Sequence, residues 1–379
     1  PFETTKDETR ETIARARARE TGLPLLYVNQ VGGQDELVFD GGSFVIGGDG
    51  QVVRTLKYFE EDVSIYCHSD RPQGVEESDR SDNGSDPSTD ARDDNEDIYR
   101  ALTLGLRDYI EKNGFPGVLL GLSGGIDSAL SAAIAVDALG PERVHCVMMP
   151  SPFTSEESLV DARGCVEALG CGYDTMPIDA AMDAFTSIIP GLSGIAHENM
   201  QSRARGLILM ALSNASGNMV LSTGNKSEMA VGYATLYGDM NGGFNALKDL
   251  YKMQVYALSK WRNVHKPAGA LGPSGIVIPE NILTKVPTAE LKENQSDQDS
   301  LPPYEELDDI LECLIEHDMA LSEICARGHD EATVKRVWAM LDRAEYKRRQ
   351  APPGVKITAR AFGRDRRYPI TNKFFSNQE

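Results

Sequence analysis

Residues 119–140 read LLGLSGGIDSALSAAIAVDALG, an apolar run, a turn of glycines, serines and one aspartate, and an alanine-rich helix. A strand that feeds a helix in this way presents unpaired helix N–H groups, which collect anions. Gly124 and Gly125 allow the backbone to curl into an anion-binding nest, because glycine accepts positive φ and has no Cβ to hold a phosphate away. Ser123 and Ser128 add hydroxyl donors. Asp127 would repel a bare phosphate but suits one that carries Mg²⁺, an ion that bridges one or two carboxylates to phosphate oxygens. The chemistry implied is the binding of a metal-bound polyphosphate. The Walker A pattern GxxxxGK[ST] occurs nowhere in the chain, and the turn is not a dinucleotide fingerprint.

The elements that position this turn follow from periodicity. From Ile98 onward YRALTLGLRDYIEKNG reads as a helix closed by glycine, FPGVLLGL as a buried strand and 126–139 as a helix. RVHCVMMP, GYDTMPI and GNMVLST read as further strands, separated by helices over 155–169 and AHENMQSRARGLILMALSNAS. Apolar runs that alternate with helical periods predict βαβ units in a doubly wound parallel sheet. Upstream, 4–21 reads as an amphipathic helix ended by Gly22. The runs LPLLYVNQVGG, ELVFDGGSFVIGG and QVVRTLKYFEEDVSIYC then carry hairpin signals. Residues 69–96, rich in Asp, Ser, Gly and Pro, read as a solvated, disordered linker. The organisation expected is therefore 1–68, a linker over 69–96, and a main domain over 97–379.

Composition excludes several classes. With 58 acidic against 38 basic residues the net charge is −20, which disfavours a nucleic-acid backbone or an anionic membrane as partner. No apolar stretch approaches the roughly 20 residues of a membrane span. The N-terminus carries no signal-peptide core and does not begin with Met, so it reads as an interior segment with residues expected upstream. The six cysteines form no CxxC pair and have no histidine at zinc-finger spacing, which fits incidental thiols in a reducing, cytoplasmic setting.

SGGIDS resembles the pyrophosphate loop of the ATP pyrophosphatases that adenylate a substrate, among them the GMP, asparagine, argininosuccinate and NAD synthetases. Among these, LSTGNKSEMAVGYATLYGDMNGGFNALKDLYKMQVYAL (221–258) resembles the NAD synthetase signature. KVPTAELKENQSDQDSLPPYEELDDIL (285–311) and AEYKRRQAPP (344–353) follow in that family's order. The likeness covers residue 98 to the C-terminus. PFETTKDETR with LLYVNQVGGQDELVFDGGSFVI resembles the last part of the nitrilase-type glutaminase domain found in members that use glutamine. The Glu-Lys-Cys residues of that domain would lie before this chain begins. Cys67 does not match the nucleophile position and reads as an incidental thiol.

The resemblance implies an α/β fold of the ATP pyrophosphatase type preceded by a partial nitrilase-like segment. It also implies ATP, Mg²⁺, deamido-NAD and ammonia or glutamine as ligands, and a homodimer or higher homo-oligomer. It assigns ATP contacts to Gly121, Leu122, Ser123, Gly124, Gly125, Ile126, Asp127, Ser128, Thr223, Lys252 and Thr288. Asp127 and Glu228 are the carboxylates it gives to Mg²⁺, and Asp127 and Lys252 carry the chemistry. Lys248 competes with Lys252, and a helix N-cap competes for Thr288. Deamido-NAD is assigned to Asn199, Arg203, Glu228, Tyr233, Ala234, Thr235, Leu236, Asp239 and Lys347. Asn199 and Arg203 stand four apart on a predicted helix and so share one face. Leu236 departs from the ammonia-only enzymes, which carry lysine there, and Tyr346-Lys347 stands where His-Lys is usual. The readings that compete are another ATP pyrophosphatase, such as a GMP or asparagine synthetase, and a scaffold that binds nucleotide without turnover.

Overall fold

A computed structural model of the chain describes residues 1–4, 6–66 and 93–371. Helix α1 (Lys6–Thr21) ends at Gly22, whose φ of +67° is the left-handed stop that glycine supplies. Five short strands follow: β1 (Leu25–Tyr27), β2 (Val31–Gln34), β3 (Leu37–Asp40), β4 (Phe44–Ile46) and β5 (Val52–Thr55). Strands β1, β4 and β5 form an antiparallel sheet with β4 central, and Ala14 and Ala18 of α1 pack on Phe44 and Ile46. The β2–β3 hairpin instead lies on α2 (Asp94–Lys112). That approach is close enough that a Cβ on Gly33 would stand 3.2 Å from the Cα of Gly105.

Helix α2 begins inside the stretch expected to be linker. Asp93 caps it by accepting from the Asn95 N–H, and Asp94, Glu96 and Asp97 fill its first turn, where negative charge suits the helix dipole. The acidic composition that suggested disorder is here a helix start. The remainder of the expected linker, 69–92, and Cys67 lie outside the described residues.

The main domain continues through β6 (Val118–Gly121), α3 (Ile126–Leu139), β7 (Val144–Met148), α4 (Glu156–Leu169), β8 (Gly172–Thr175), α5 (Asp179–Ile188) and α6 (Ile195–Ser216). It then forms β9 (Met219–Ser222), α7 (Lys226–Val231), β10 (Phe244–Asn245), α8 (Lys252–Val264) and α9 (Glu280–Thr284). Helices α10 (Tyr304–Ile315), α11 (Leu321–Ala326), α12 (Glu331–Arg343) and α13 (Glu345–Arg348) close the domain. The sheet order is β10-β9-β6-β7-β8 and every pairing is parallel, with Leu120 opposite Cys146 and Val118 opposite Met219. This is the expected doubly wound α/β sheet. The chain winds outward to β8, returns through α6, and resumes at β9 on the other side of β6. The crevice between β6 and β9 is therefore the topological switch point, the place where such sheets bind ligands.

Helix α3 is buried from Ser128 to Leu139, so its one late acid, Asp137, must be satisfied inside. It accepts from the Tyr99 hydroxyl at 2.6 Å and from Arg262 Nε and Nη2 at 2.5 and 3.0 Å, which ties α2, α3 and α8 together. Phe2, Val38 and Phe59 join the same core as α2 and α3, so the N-terminal segment packs directly on the main domain. Among the described residues no helix is long and apolar enough to cross a membrane.

Candidate active site

Strand β6 delivers the Ser-Gly-Gly turn to the switch point. Gly124 has φ +79°, and a Cβ there would stand 2.4 Å from the Ser158 carbonyl oxygen, so this position requires glycine on two counts. Ser128 Oγ donates to the Gly125 carbonyl at 2.9 Å and lies 3.2 Å from Ser123 Oγ, which accepts from the Gly125 N–H at 3.3 Å. The two hydroxyls therefore brace the turn from inside. Gly125 then caps α3 without a side chain, which leaves the helix N-terminus open to a ligand.

Asp127, in the first turn of α3, meets groups from the β9 side of the crevice. Asn225 Nδ2 donates to its Oδ1 at 2.8 Å, and the Lys252 ammonium makes a very short contact with its Oδ2. Lys252 Nζ also donates to Glu228 Oε1 at 3.3 Å. Asn225 and Glu228 form a capping box at the start of α7: Asn225 Oδ1 accepts from the Glu228 N–H, and Glu228 Oε2 accepts from the Asn225 N–H. Lys252 opens α8, and its own N–H donates to Ser227 Oγ at 2.9 Å. Two carboxylates and one ammonium from three helices thus converge, with the Lys252 side chain 2 % exposed.

The charges do not balance. Burial and the neighbouring Asp127 push the Glu228 carboxyl up to about 8, against the pull of Lys252. Burial alone would depress Lys252, but Asp127 and Glu228 outweigh it and hold the ammonium above the ordinary lysine range. One buried cation for two carboxylates leaves this spot receptive to a further positive charge. Among the described residues no cluster of three or more His, Cys, Asp or Glu could hold a metal alone. A pair of carboxylates fits Mg²⁺, which keeps few protein ligands and completes its shell with phosphate and water. Lys248, the competitor of Lys252, points elsewhere and pairs with Glu36 at 3.1 Å.

The cleft above this cluster is about 300 Å³. Gly121 through Ser128 line it, as do Thr223, Glu228, Tyr233, Thr235, Asp239, Lys252 and Thr288. Thr288 is not a helix cap, because its Oγ1 accepts from the Glu290 N–H at 3.2 Å in an open segment. The rest of the residues assigned to the dinucleotide stand behind the wall. Asn199 Oδ1 accepts from the Thr235 hydroxyl at 2.9 Å, and Arg203 Nε donates to the Leu236 carbonyl at 3.1 Å. Lys347 Nζ donates to the carbonyls of Gly232 and Ala234 at 2.7 and 2.6 Å, and burial lowers its pKa. Asn199 and Arg203 do share a helix face, but that face grips the 232–239 loop, as Lys347 does from the other side. Ala234 and Leu236 contribute their carbonyl oxygens to this grip and do not line the cleft. Asp239, raised by burial, accepts from the Thr235 N–H at 2.6 Å and from the Ser202 hydroxyl at 3.1 Å.

Sequence reasoning missed several residues here. Arg205 lines the cleft two positions beyond Arg203; its Nε donates to the Met149 carbonyl at 2.9 Å, and burial lowers it to about 10. Asn225 was findable, because NKSE is a capping-box signature that ends at Glu228. Lys285, Glu290 and Asp297 also line the cleft, through contacts too distant in the chain for any local signal.

Residues 98–351 match the NAD synthase family and residues 3–67 match the carbon-nitrogen hydrolase family. The chain is 50% identical over 381 residues to a glutamine-dependent NAD(+) synthetase of Rhodobacter capsulatus, covering 99% of this chain and 68% of that protein. A protein of the same name from Acinetobacter baylyi is 45% identical over 377 residues, covering 98% of this chain and 67% of its own length. Among solved structures, a glutamine-dependent NAD⁺ synthetase from Acinetobacter baumannii in complex with ADP superposes with TM-score 0.67 at 43% identity, covering 98% of this chain and 66% of that one. An NMN synthetase from Francisella tularensis superposes with TM-score 0.56 at 27% identity over 68% of this chain and 96% of its own. The chain spans about two thirds of the length of the longer relatives it matches. The chain belongs to the NAD synthase family of ligases, with a carbon-nitrogen hydrolase segment ahead of its synthase domain.

Proposed function

We propose that the chain amidates the nicotinate carboxylate of deamido-NAD at the expense of ATP, in two steps within the cleft. The carboxylate attacks the α-phosphorus of ATP, which forms an acyl-adenylate and releases pyrophosphate. Ammonia then attacks the acyl carbon, the carbon–oxygen bond to the phosphoryl group breaks, and NAD and AMP leave. The observation that carries this reading is the convergence of Asp127, Glu228 and Lys252 beside the Ser-Gly-Gly turn.

The first barrier is one of charge and position, since an anion must approach a polyanion. Preorganised cations and amides acting on developing charge are the usual remedy. Asp127 and Glu228 would hold Mg²⁺, which supplies charge neutralisation of the triphosphate when bound. The open N-terminus of α3 and the turn amides would receive the β- and γ-phosphates. Lys252, fixed by its carboxylates, keeps its proton and offers it to phosphate oxygens. Thr223 and Thr288 supply further hydroxyl contacts to ATP. Across the cleft, Tyr233 to Asp239 would form the wall against the nicotinate half of deamido-NAD, with Asn199, Arg203 and Lys347 acting by shaping that loop. The glutamine-dependent relatives and the carbon-nitrogen hydrolase match support glutamine as the nitrogen source, with ammonia as the species that attacks the acyl carbon.

The test is product analysis with ATP, ammonia and deamido-NAD, run beside nicotinate mononucleotide because of the NMN synthetase neighbour. NAD, AMP and pyrophosphate in equal amounts are expected from deamido-NAD. ADP and phosphate, or preference for the mononucleotide, would contradict the reading. Nucleotide binding without turnover would leave a scaffold.

A further inference from the structure

The segment from Lys285 to Ser296, which carries Thr288 over the cleft, contains neither helix nor strand. Its position therefore depends on side-chain ties rather than on backbone ladders. The densest tie is at Glu290. This residue adopts φ +48°, a left-handed conformation that is unfavourable for a residue with a Cβ and persists only where surrounding contacts fix it. Its Oε1 accepts from the hydroxyls of Ser155 and Ser158, both at 2.8 Å, and Oε2 accepts weakly from the Ser155 N–H at 3.4 Å. Lys285 donates to Ser158 Oγ and stands 3.7 Å from Glu290, so an ion pair completes the knot. Ser155 caps α4, which joins the knot to a rigid element more than 130 residues earlier in the chain. Ser158 also backs the phosphate turn, since its carbonyl is the atom that Gly124 approaches too closely to bear a Cβ.

We propose that Glu290 is a positioning residue that latches the 285–296 segment to the N-terminus of α4 and so sets Thr288 and the Ser-Gly-Gly turn at the separation one ATP molecule requires. The assignment rests on the ATP reading above. Glu290 acts through Ser155 and Ser158 and does not itself handle phosphate, which its negative charge would repel. Gln201, whose Nε2 donates to the Leu291 carbonyl at 2.8 Å, is a second and uncharged tie on the same segment. Charge-assisted hydrogen bonds are the stronger kind, which makes Glu290 the tie whose loss frees the segment.

The test measures amide hydrogen exchange and steady-state kinetics on Glu290→Ala, Glu290→Gln and the double variant Ser155→Ala/Ser158→Ala. Loss of the latch should raise exchange of amides in 286–296 by about tenfold or more, with the rest of the chain unchanged, in line with the worth of a charged hydrogen bond. KM for ATP should rise by a similar factor of about ten while KM for deamido-NAD moves less than about twofold. The serine double variant should reproduce the effect from the other side, and Glu290→Gln should fall between wild type and Glu290→Ala. If Glu290→Ala does not fold, the glutamine and serine variants carry the test. Wild-type exchange over 286–296 with an unchanged KM for ATP would overturn the latch, and so would loss of protection throughout the chain. If the wild-type protein makes no AMP and pyrophosphate, the ATP reading fails instead, and the exchange measurement still decides whether Glu290 holds the segment.

Discussion

Asn225 donates to Asp127 Oδ1 over 2.8 Å while its own amide oxygen accepts from the Glu228 N–H at 3.0 Å. One neutral side chain thereby fixes the distance between two carboxylates that lie on different helices and on opposite sides of the β6–β9 crevice. Asp127 and Glu228 would otherwise repel each other. Asn225 holds them on either side of the Lys252 ammonium.

The first prediction concerns this pair. Asp127→Asn preserves shape but removes a charge from the proposed cation site, so turnover should fall by roughly a hundredfold or more, as when a preorganised electrostatic contact is lost. Asn225→Ala should give a smaller loss of about tenfold that is partly recovered at high Mg²⁺, because the ligands remain but are no longer held apart. Kinetics as a function of Mg²⁺ check both. Near wild-type turnover of Asp127→Asn at limiting Mg²⁺ would assign the ion elsewhere.

Arg203 donates to the Leu236 carbonyl, so its proposed effect on deamido-NAD runs through the 232–239 loop. Arg203→Ala should raise KM for deamido-NAD by about tenfold, the worth of a partly buried charged hydrogen bond, and spare KM for ATP. Asn199→Ala should act in the same direction but more weakly, since it loses a neutral hydrogen bond to Thr235. Equal weakening of ATP in either variant would contradict the division between the two walls of the cleft.

Much of this arrangement was legible in the sequence. The strand–SGGIDS–helix junction announced itself because small residues, an acid and a sharp change of periodicity coincide within a few positions. The strands from β6 to β9 followed from apolar runs, whereas β10 is two residues long and sits in a glycine-rich stretch that offers no alternation. Helix α5 passed unread, a short helix between a strand and a loop. Asn199 and Arg203 were legible as one helix face but not as to what that face meets: only the tertiary fold shows that it, and Lys347 with it, grips the 232–239 loop. Asp137, buried in α3 by Tyr99 and Arg262, gave no sign at all, because an isolated acid in a helix ordinarily faces water.

Stability should depend on Asp308. Burial raises its carboxyl from the ordinary 3.8 to about 6, in spite of donation from the Ser227 hydroxyl and the Met253 N–H. The folded state therefore holds this proton where the unfolded chain has released it. The contribution is complete below about pH 4 and is lost as pH rises through about 6, a difference of up to about 3 kcal/mol from the shift of two units. Urea unfolding of wild type and Asp308→Asn from pH 4.5 to 7.5 checks this. The wild type should lose stability relative to the variant as pH rises, and a constant or opposite difference would contradict it.

Nitrogen source provides a further check. A glutaminase nucleophile needs a thiol with a base and an orienting partner on a rigid scaffold. Residues 6–66 supply one helix and five short strands that pack on the main domain, and Cys67 lies outside the described residues. Cys67→Ser should leave NAD formation from free ammonia or from glutamine unchanged, because the thiol reads as incidental. Glutamine-supported synthesis abolished by Cys67→Ser would reverse that assignment.

The central claim, that the nicotinate carboxylate is adenylated beside Asp127, Glu228 and Lys252, is tested most directly by following oxygen. Deamido-NAD labelled with ¹⁸O in its carboxylate is incubated with the chain, ATP, Mg²⁺ and ammonia, and the products are weighed by mass spectrometry. The attacking carboxylate oxygen stays on phosphorus when ammonia breaks the acyl bond. Each AMP should therefore carry one ¹⁸O and the pyrophosphate none. Label in inorganic phosphate, or AMP without label, would contradict the account.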